Sequence, residues 1–334
     1  MKILVTGATG YVGHCLALTL ARQGNQVHIL VRNLQSDFIP QHPNIIVFSG
    51  DIIKTETISL AIQDCEQVFH AAALVKLYAR RPADFYDINV DGTRNMLEAA
   101  LKAGVQKFVF TSSCGVIGPS LHQPMSEADP RITGFDNDYD LSKYLAEKLV
   151  IEYAMKGLFT VVASASKVFG PGIETHTMGV NGTIKRFIEG KPTFCPSPSH
   201  FISNYVFIDD LVRGHILATE KGTSGEKYIL GGENISYKSF FETLRNVSGV
   251  PGILLPISKN IASLYGIWHV LQSKLLGKEP FFNAKVANHI FCNKSLSCSK
   301  AEKELGYTIT PHSLAIQSTI QFLNPTLCLM PAIH

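Results

Sequence analysis

The alternation of short apolar runs with longer helical segments in the first half of this chain restricts its fold more than any other feature. Runs rich in Val, Ile and Phe predict strands at residues 3–6, 26–31, 45–49, 67–71, 107–112 and 160–164. The intervening segments predict helices near residues 12–22, 56–63, 84–103 and 140–156. Strands that are apolar throughout, instead of alternating, are typical of a parallel sheet that helices cover on both faces. The sequence therefore predicts an α/β fold with a doubly wound parallel sheet.

A glycine-rich turn joins the first predicted strand to the first predicted helix. Gly7, Gly10 and Gly13 have the spacing GxxGxxG. Glycines in this position permit a tight turn, a close backbone approach to a pyrophosphate, and close packing of the helix on the strand. The turn therefore predicts a Rossmann-type dinucleotide site. Its predicted cofactor contacts are Gly7, Thr9, Gly10, Tyr11, Val12 and Gly13.

The end of the second predicted strand bears on the choice of cofactor. An NAD-specific site usually offers an acidic side chain to the ribose hydroxyls here, whereas this chain has Val31-Arg32-Asn33. An arginine pairs well with a 2′-phosphate, although a solvent-exposed arginine at a strand end is the alternative. We expect NADP(H) to be preferred, with NAD(H) as the second option.

Further cofactor contacts are predicted after the third and fourth strands and on the long helix. The Asp51 carboxylate suits the adenine amino group, or equally the cap of the next helix. The small run after His70 leaves room for the cofactor, and Asn89 either reaches inward or is solvated. These predicted contacts are Asp51, Ile52, Ala71, Ala72, Ala73 and Asn89.

A phenol and an ammonium group lie four residues apart at Tyr139 and Lys143, and therefore on one face of a helix. A nearby cation lowers the pKa of a phenol, which then exchanges a proton with a carbonyl or alcohol oxygen while hydride moves to or from carbon. The same spacing recurs at Tyr144 and Lys148, rotated by about 140° around the helix. We favour Tyr139, because it stands at the helix start beneath a loop.

Hydroxyl groups end the fifth predicted strand, at the carboxyl edge where open α/β sheets bind ligands. Ser112 and Ser113 point to opposite sides if the strand continues through them, so only one can serve. A serine there either donates to a substrate carbonyl or caps the turn.

After about residue 172 the regular alternation of strands and helices is replaced by short mixed elements. They are a helix at residues 181–189, a Pro-rich loop at 195–198, a strand at 204–208 leading into a helix at 209–220, and a strand at 227–230. Ser236 is placed to cap the next helix. We expect a dinucleotide-binding domain at 1–172, to which later segments return, a smaller mixed α/β substrate-binding lobe at 173–325, and a tail at 326–334.

Composition excludes several classes of protein. With 30 Lys+Arg against 27 Asp+Glu, the net charge of +3 is too small for a nucleic-acid-binding surface. The uncharged stretch 260–273 is too short and too polar to span a membrane, and the chain opens on a strand instead of a secretion signal. Seven scattered cysteines without CxxC indicate reduced thiols and no metal site. We expect a cytoplasmic protein with a small-molecule substrate.

Several motifs in order resemble the extended short-chain dehydrogenase/reductases, also called the NAD(P)-dependent epimerase/dehydratase family. They lie at residues 6–13, 89–93, 111–113, 139–143 and 205–210. The resemblance implies that Ser113 is the catalytic serine, Tyr139 the acid–base and Lys143 the ribose-binding modulator. It also implies a homodimer through the helices at 84–103 and 140–156.

The branch of the family is indicated by two stretches. Residues 224–234 are similar to the dihydroflavonol 4-reductase-like and 3β-hydroxysteroid dehydrogenase-like branch. Nucleotide-sugar members commonly carry Arg-Pro-x-Asn before the Gly-Pro-Gly loop, where this chain has Ser164-Ala165-Ser166-Lys167. The departure weakens a sugar-nucleotide assignment, although Lys167 still suits an anionic or oxygen-rich substrate.

The leading hypothesis is an NADP(H)-dependent reductase/dehydrogenase that interconverts a ketone and a secondary alcohol on an apolar, dihydroflavonol- or steroid-like molecule. Only 17% of the residues are charged, which favours an apolar substrate. The alternatives are a nucleotide-sugar epimerase/dehydratase and a non-catalytic NADP(H)-sensing protein. An apolar stripe on a predicted helix at 261–276 favours a core or interdomain face over a pocket lining or a membrane contact.

Overall fold

The computed structural model describes residues 1–76, 79–173, 179–275 and 290–327. The strands within these ranges are β1 (Lys2–Thr6), β2 (Gln26–Val31), β3 (Ile45–Ser49), β4 (Gln67–His70), β5 (Lys107–Ser113), β6 (Thr160–Ala165), β7 (Lys167–Phe169), β8 (Pro192–Ser197), β9 (Ile202–Phe207), β10 (Lys227–Leu230), β11 (Glu233–Ser236) and β12 (Ile253–Ser258).

The helices in the same ranges are α1 (Tyr11–Arg22), α2 (Ser59–Ile62), α3 (Ala83–Tyr86), α4 (Gly92–Lys102), α5 (Asp138–Met155), α6 (Val180–Ile188), α7 (Ile208–Lys221), α8 (Tyr237–Ser248), α9 (Lys259–Leu275), α10 (Ser299–Leu305) and α11 (His312–Leu323). A π-helical turn at Asp87–Asp91 joins α3 to α4, and short 3₁₀ turns lie at Thr55–Thr57 and Cys114–Val116.

A parallel sheet of seven strands forms the centre of the molecule. Its order is β10-β6-β5-β4-β1-β2-β3. The chain order reverses between β1 and β4, so a crevice opens there at the carboxyl ends of the strands, where folds of this class bind ligands. The predicted doubly wound α/β fold is confirmed.

Both faces of the sheet are buried at its central strands, as the apolar strands predicted, whereas the edge strand β3 is partly exposed. Ile3 and Val5 of β1 belong to a core cluster that includes residues of α1 and α7. Leu4, between them, belongs to a cluster on the other face that includes residues of α4 and α5. Because successive strand residues point to opposite faces, a strand covered on both sides has to be apolar at every position.

The later part of the chain builds two small sheets and also returns to the central one. One small sheet has the order β11-β9-β7, and the other pairs β12 with β8 in parallel. Strand β10 pairs with β6, and its Lys227 forms a 2.8 Å ion pair with the buried Glu147 of α5. The boundary at residue 172 stays a prediction, and residues 328–334 of the predicted tail lie outside the described part.

The predicted Pro-rich loop at residues 195–198 is wrong. Residues Cys195, Pro196 and Ser197 belong to strand β8, which pairs with β12. A proline has no backbone N–H to donate. In a two-stranded sheet each strand has one edge that makes no hydrogen bonds to another strand, and a proline is tolerated when its nitrogen faces that edge. Ser236 does cap α8 as predicted, since its side chain accepts a hydrogen bond from Ser239 N at 3.1 Å.

The expectation that the apolar stripe of the helix near residues 261–276 packs into a core is also wrong. Helix α9 exposes large apolar side chains over much of its length, and Ala262 is its buried contact in a small satellite cluster. The exposed side chains are Ile261, Leu264, Tyr265, Ile267, Trp268 and Leu271. Across the described ranges, no helix is both long and apolar enough to cross a membrane.

Candidate active site

The glycine turn after β1 leaves no space for side chains. Gly7 has φ +74°, and a Cβ built on it would lie 2.6 Å from Ala72 N. A Cβ on Gly13 would lie 2.3 Å from Gly7 O. Gly10 precedes α1 and no side chain caps the first turn of that helix. Backbone N–H groups at such a helix start suit a pyrophosphate, so the turn fits a dinucleotide.

Tyr11 connects this turn to the Gly170-Pro171-Gly172 loop. Its hydroxyl donates to Gly170 O at 2.6 Å, and its ring lies so close to Gly172 that a Cβ there would meet the ring carbon Cε2 at 2.5 Å. The other predicted contacts in the turn, Thr9 and Val12, are half-buried. Tyr11 thus holds the cofactor turn against a loop that borders the predicted substrate lobe.

Arg32 and Asp51 follow neighbouring strands at the carboxyl edge of the sheet. Arg32 is exposed and has no hydrogen bond or ion pair to any residue in the described ranges. Asp51 is half-buried, and its Oδ1 accepts from Ile53 N at 3.3 Å. The predicted helix cap is wrong, because the N-cap residues of the next two helical segments are Lys54 and Ile58. The side chain of Ile52 is buried against Gly92, which lacks a side chain at this contact.

Asn89 is buried, so the solvated alternative is wrong. Its Oδ1 accepts from Leu74 N at 2.7 Å, and its Nδ2 donates to Ser142 Oγ at 2.9 Å. These bonds join the segment after Ala71, Ala72 and Ala73, all half-buried, to helix α5. Asn89 therefore fixes the floor of the crevice.

Ser113 and Tyr139 meet at a cavity of about 120 Å³. Ser113 ends β5, where its Oγ accepts from Gly115 N at 3.1 Å. Tyr139 lies in the first turn of α5, which Asn137 caps by accepting from Asp140 N at 2.8 Å. The Ser113 hydroxyl lies close enough to the Tyr139 phenol to offset part of the rise in the pKa of Tyr139. The chain thus places two hydroxyl groups where one substrate oxygen can contact both.

The alternative residues of each pair lie elsewhere. Ser112 points to the opposite side of β5, where its Oγ donates to Glu147 Oε1 at 2.5 Å. The ring of Tyr144 packs against Phe135 at a tilt, with 5.1 Å between ring centres, and the exposed Lys148 lies over Tyr144. The cavity is not lined by Ser112, Tyr144 or Lys148.

Lys143 is buried behind the cavity. Its Nζ donates to Thr111 O at 2.7 Å and lies 3.8 Å from the centre of the Phe110 ring. Burial lowers the pKa of Lys143 to about 7. Burial also raises the pKa of Tyr139, and the Asp140 carboxylate adds to that effect. The chain's own residues therefore do not lower the pKa of Tyr139 as the sequence led us to expect.

The rest of the cavity wall is polar to a degree that the sequence did not indicate. Lys167 was singled out from its position before the Gly-Pro-Gly loop, whereas Asp140, Asn204 and Lys294 were missed. Lys294 reaches the wall because Ser203 and Lys294 form an isolated bridge between distant segments. In the described part of the chain, no cluster of His, Cys, Asp or Glu side chains is arranged to hold a metal ion.

Comparisons with known proteins give a matching family and several similar relatives. A family model described as the NAD dependent epimerase/dehydratase family matches residues 3–231. A 3-beta-hydroxysteroid dehydrogenase from Mycolicibacterium neoaurum is 29% identical over 328 residues, covering 92% of this chain and 86% of the relative. Sterol demethylase protein B from Methylococcus capsulatus is 28% identical over 332 residues, covering 97% and 98%.

A solved structure shows the same fold. The UDP-glucose 4-epimerase from Thermotoga maritima matches with a TM-score of 0.80, covering 98% of this chain and 99% of its own. Because the two sequences are only 23% identical, this similarity supports a shared fold and nothing further.

Proposed function

The chain belongs to the NAD-dependent epimerase/dehydratase family, and from that premise we propose that it is an NADP(H)-dependent reductase/dehydrogenase that interconverts a ketone and a secondary alcohol. Family membership confirms the predicted resemblance and makes the chain an NAD(P)-dependent enzyme of the extended short-chain dehydrogenase/reductase type. The observation that carries the proposal is that Ser113 and Tyr139 line one cavity, with Lys143 buried behind it.

Each residue has one task in the proposed reaction. When bound, the nicotinamide ring supplies hydride to the carbonyl carbon in reduction, or accepts it from the carbinol carbon in oxidation. The Tyr139 phenol gives its proton to the substrate oxygen in reduction and takes it back in oxidation. Ser113 donates a hydrogen bond to the same oxygen and stabilises its negative charge. Lys143, buried behind the cavity, takes the role that the family resemblance implies, that of the residue that binds the cofactor ribose.

The form of the substrate follows from the cavity and the relatives. A volume of about 120 Å³ is below the roughly 300–1,000 Å³ of complete ligand pockets. The described cavity therefore takes the reacting end of a substrate, while the rest of the molecule extends outward. Relatives named as a hydroxysteroid dehydrogenase and a sterol demethylase protein support an apolar, steroid-like skeleton for that remainder.

NADP(H) preference rests on Arg32. The guanidinium group is exposed at the end of β2, and the described residues provide no anion for it. A 2′-phosphate is an anion that an arginine binds well at this place in the fold.

Substitution of Tyr139 tests the mechanism. We expect Tyr139→Phe to lower turnover by about 10²–10⁴-fold, because it removes the proton that the substrate oxygen receives, while NADPH affinity is retained. Tyr144→Phe, in the second copy of the same spacing, should behave as wild type. Turnover is measured by NADPH fluorescence on a panel of ketosteroids, hydroxysteroids and dihydroflavonols. Wild-type turnover in Tyr139→Phe would overturn the proposed function.

We also propose that the protein is a cytoplasmic homodimer formed through α4 and α5. Both helices expose large apolar side chains, at Leu101, Ile151 and Met155. The six cysteines in the described ranges are free thiols, which favours a reducing compartment. Light scattering on the wild type should give the mass of a dimer, and Ile151→Glu should shift it toward the monomer. A monomeric wild type would contradict the assembly.

A further inference from the structure

The Glu147 carboxylate is buried, and both of its oxygens have partners. Its Oε1 accepts from Ser112 Oγ at 2.5 Å, and its Oε2 forms a 2.8 Å ion pair with Lys227 Nζ of β10. The Cys114 thiol nearby is uncharged near neutral pH, because burial raises its pKa well above the ordinary value. Hydrogen-bond donors and a cation stabilise the ionised form of a buried carboxylate. Glu147 therefore supplies a negative charge at a fixed position inside the fold.

Lys143 lies one helical turn before Glu147, on the same face of α5. Its Nζ donates to Thr111 O at 2.7 Å, whereas Glu147 accepts from Ser112, the next residue of β5. Both side chains are buried. Burial lowers the pKa of Lys143 to about 7, and the Glu147 carboxylate acts in the opposite direction. The carboxylate is thus near enough to favour the charged form of Lys143.

Three other titratable groups lie near Lys143 on β4 and α5. Burial lowers the pKa of His70 to about 3, and Lys143 adds to that lowering, so the imidazole is neutral at pH 7. Burial raises the pKa of the Tyr139 phenol, which is neutral as well. The Asp140 carboxylate lies in the cavity wall and acts on Tyr139. Of these groups, Glu147 is the one whose negative charge acts on Lys143.

The charge of Lys143 decides how many hydrogen bonds its side chain can donate. An ammonium group has three N–H donors, whereas a neutral amine has two. The Thr111 carbonyl takes one donor of Lys143. The ammonium form can therefore keep that bond and still donate to both hydroxyl groups of a cofactor ribose, which the neutral amine cannot do.

We propose that Glu147 is a positioning residue whose carboxylate, fixed by Ser112 and Lys227, keeps Lys143 an ammonium group for the cofactor ribose. Glu147 does not line the described cavity and acts through Lys143. This inference rests on the proposed function, because the task of Lys143 is taken from it.

Nuclear magnetic resonance measures the charge of Lys143 directly. The full chain is labelled with ¹³C at the lysine Cε atoms, and the signal that Lys143→Met removes is followed against pH. We expect a titration midpoint of about 7 in the wild type. Glu147→Gln keeps the size of the side chain and should lower the midpoint by about one unit or more, as for loss of a neighbouring opposite charge.

Two variants separate the charge of Glu147 from its packing. Glu147→Asp retains the carboxylate on a shorter arm, so the midpoint of Lys143 should stay near that of the wild type. Glu152→Gln makes the same change as Glu147→Gln at an exposed carboxylate of α5 that pairs with Lys156, and should leave the midpoint unchanged. If Glu147→Gln does not fold because Lys227 is left unpaired, the double variant with Lys227→Met removes both charges and should show the same lowered midpoint.

Cofactor binding supplies a second readout. Above both midpoints, a shift of one unit means about a tenfold smaller charged fraction of Lys143. Glu147→Gln should therefore bind NADPH up to about tenfold more weakly than the wild type at about pH 8, and nearly as tightly at about pH 5.5. Fluorescence titration at the two pH values measures this difference.

Two results would overturn the role of Glu147. In the first, Glu147→Gln leaves the midpoint of Lys143 and the pH dependence of NADPH binding at their wild-type values. In the second, Glu147→Asp lowers the midpoint as far as Glu147→Gln does, which assigns the effect to packing. The resonance titration needs no turnover, so an enzyme that is inactive on the substrate panel counts against the proposed function and leaves the role of Glu147 to the titration.

Discussion

Arg32 shows how one side chain can select a cofactor. The residue lies at the carboxyl end of β2, one strand away from the glycine turn that follows β1. Because its guanidinium group is exposed, we expect Arg32 to contribute to NADPH binding through a phosphate that lies against it, and to contribute little to the stability of the fold.

Arg32→Ala should therefore weaken NADPH binding about 10–100-fold, as expected for loss of a charged hydrogen bond, and leave NADH binding nearly unchanged. Fluorescence titration gives both dissociation constants. Arg81→Ala, which removes an exposed arginine paired with Asp84 and Asp87, is the matched control. Equal losses for NADPH and NADH would mean that Arg32 does not contact the 2′-phosphate.

The residues of the site differ in how far the sequence could predict them. The glycine turn and the Tyr139–Lys143 spacing are short sequence patterns. The sequence alone therefore predicted the turn and placed Tyr139 and Lys143 on one helix face. Lys294 and Asn204 reach the cavity through contacts between segments about 90 residues apart in the chain. No local pattern marks such residues, because their neighbours in space are not their neighbours in sequence.

The elements show the same contrast between local and distant causes. The strands of the central sheet were predicted from their apolar runs because burial on both faces leaves a signal within each strand. Glu147 on α5 gave no such signal, because its position beside Lys148 is typical of a solvent-exposed helix face. In the structure Glu147 is buried, and it contacts Ser112 and also Lys227, which is 80 residues away in the chain. Helix α9 is the reverse case, since its apolar stripe resembles a core helix and is exposed.

The exposure of α9 predicts that its apolar side chains contribute little to stability. Leu264 is 66% exposed, whereas Leu244 of α8 is fully buried. Leu264→Ala should change the free energy of unfolding by less than about 0.5 kcal/mol, and Leu244→Ala should lower it by about 2–5 kcal/mol. Urea denaturation measures both. A loss in Leu264→Ala as large as that in Leu244→Ala would show that the α9 face is covered in solution.

At the scale of the whole molecule, a weakly charged chain with a sheet buried on both faces also buries groups that titrate. Burial lowers the pKa of His70 to about 3, and that of His215 and His312 to about 4 each. His70 and His215 are satisfied on both ring nitrogens by hydrogen bonds. His312 is not: neither ring nitrogen has a partner in the described ranges, and the Phe169 and Phe240 rings pack against it.

These histidines make the fold sensitive to acid. An unfolded histidine takes up a proton below its ordinary pKa of 6.5, whereas the folded one stays neutral until its lowered pKa is reached. The unfolded state therefore binds more protons between about pH 6.5 and pH 4, so stability is full above this window and is lost as the pH falls through it. Each histidine contributes at most about 1.4 kcal/mol per pH unit.

His312→Phe should reduce this acid sensitivity and raise stability at neutral pH by about 1–3 kcal/mol, because it removes two unsatisfied buried polar atoms from an aromatic cluster. Urea denaturation at a series of pH values between 4 and 7 measures both effects. His122→Phe, at an exposed position, should leave the pH dependence unchanged. If His312→Phe loses stability at pH 7 and keeps the wild-type slope, the His312 ring has a hydrogen-bond partner in the folded protein and is not the source of the acid loss.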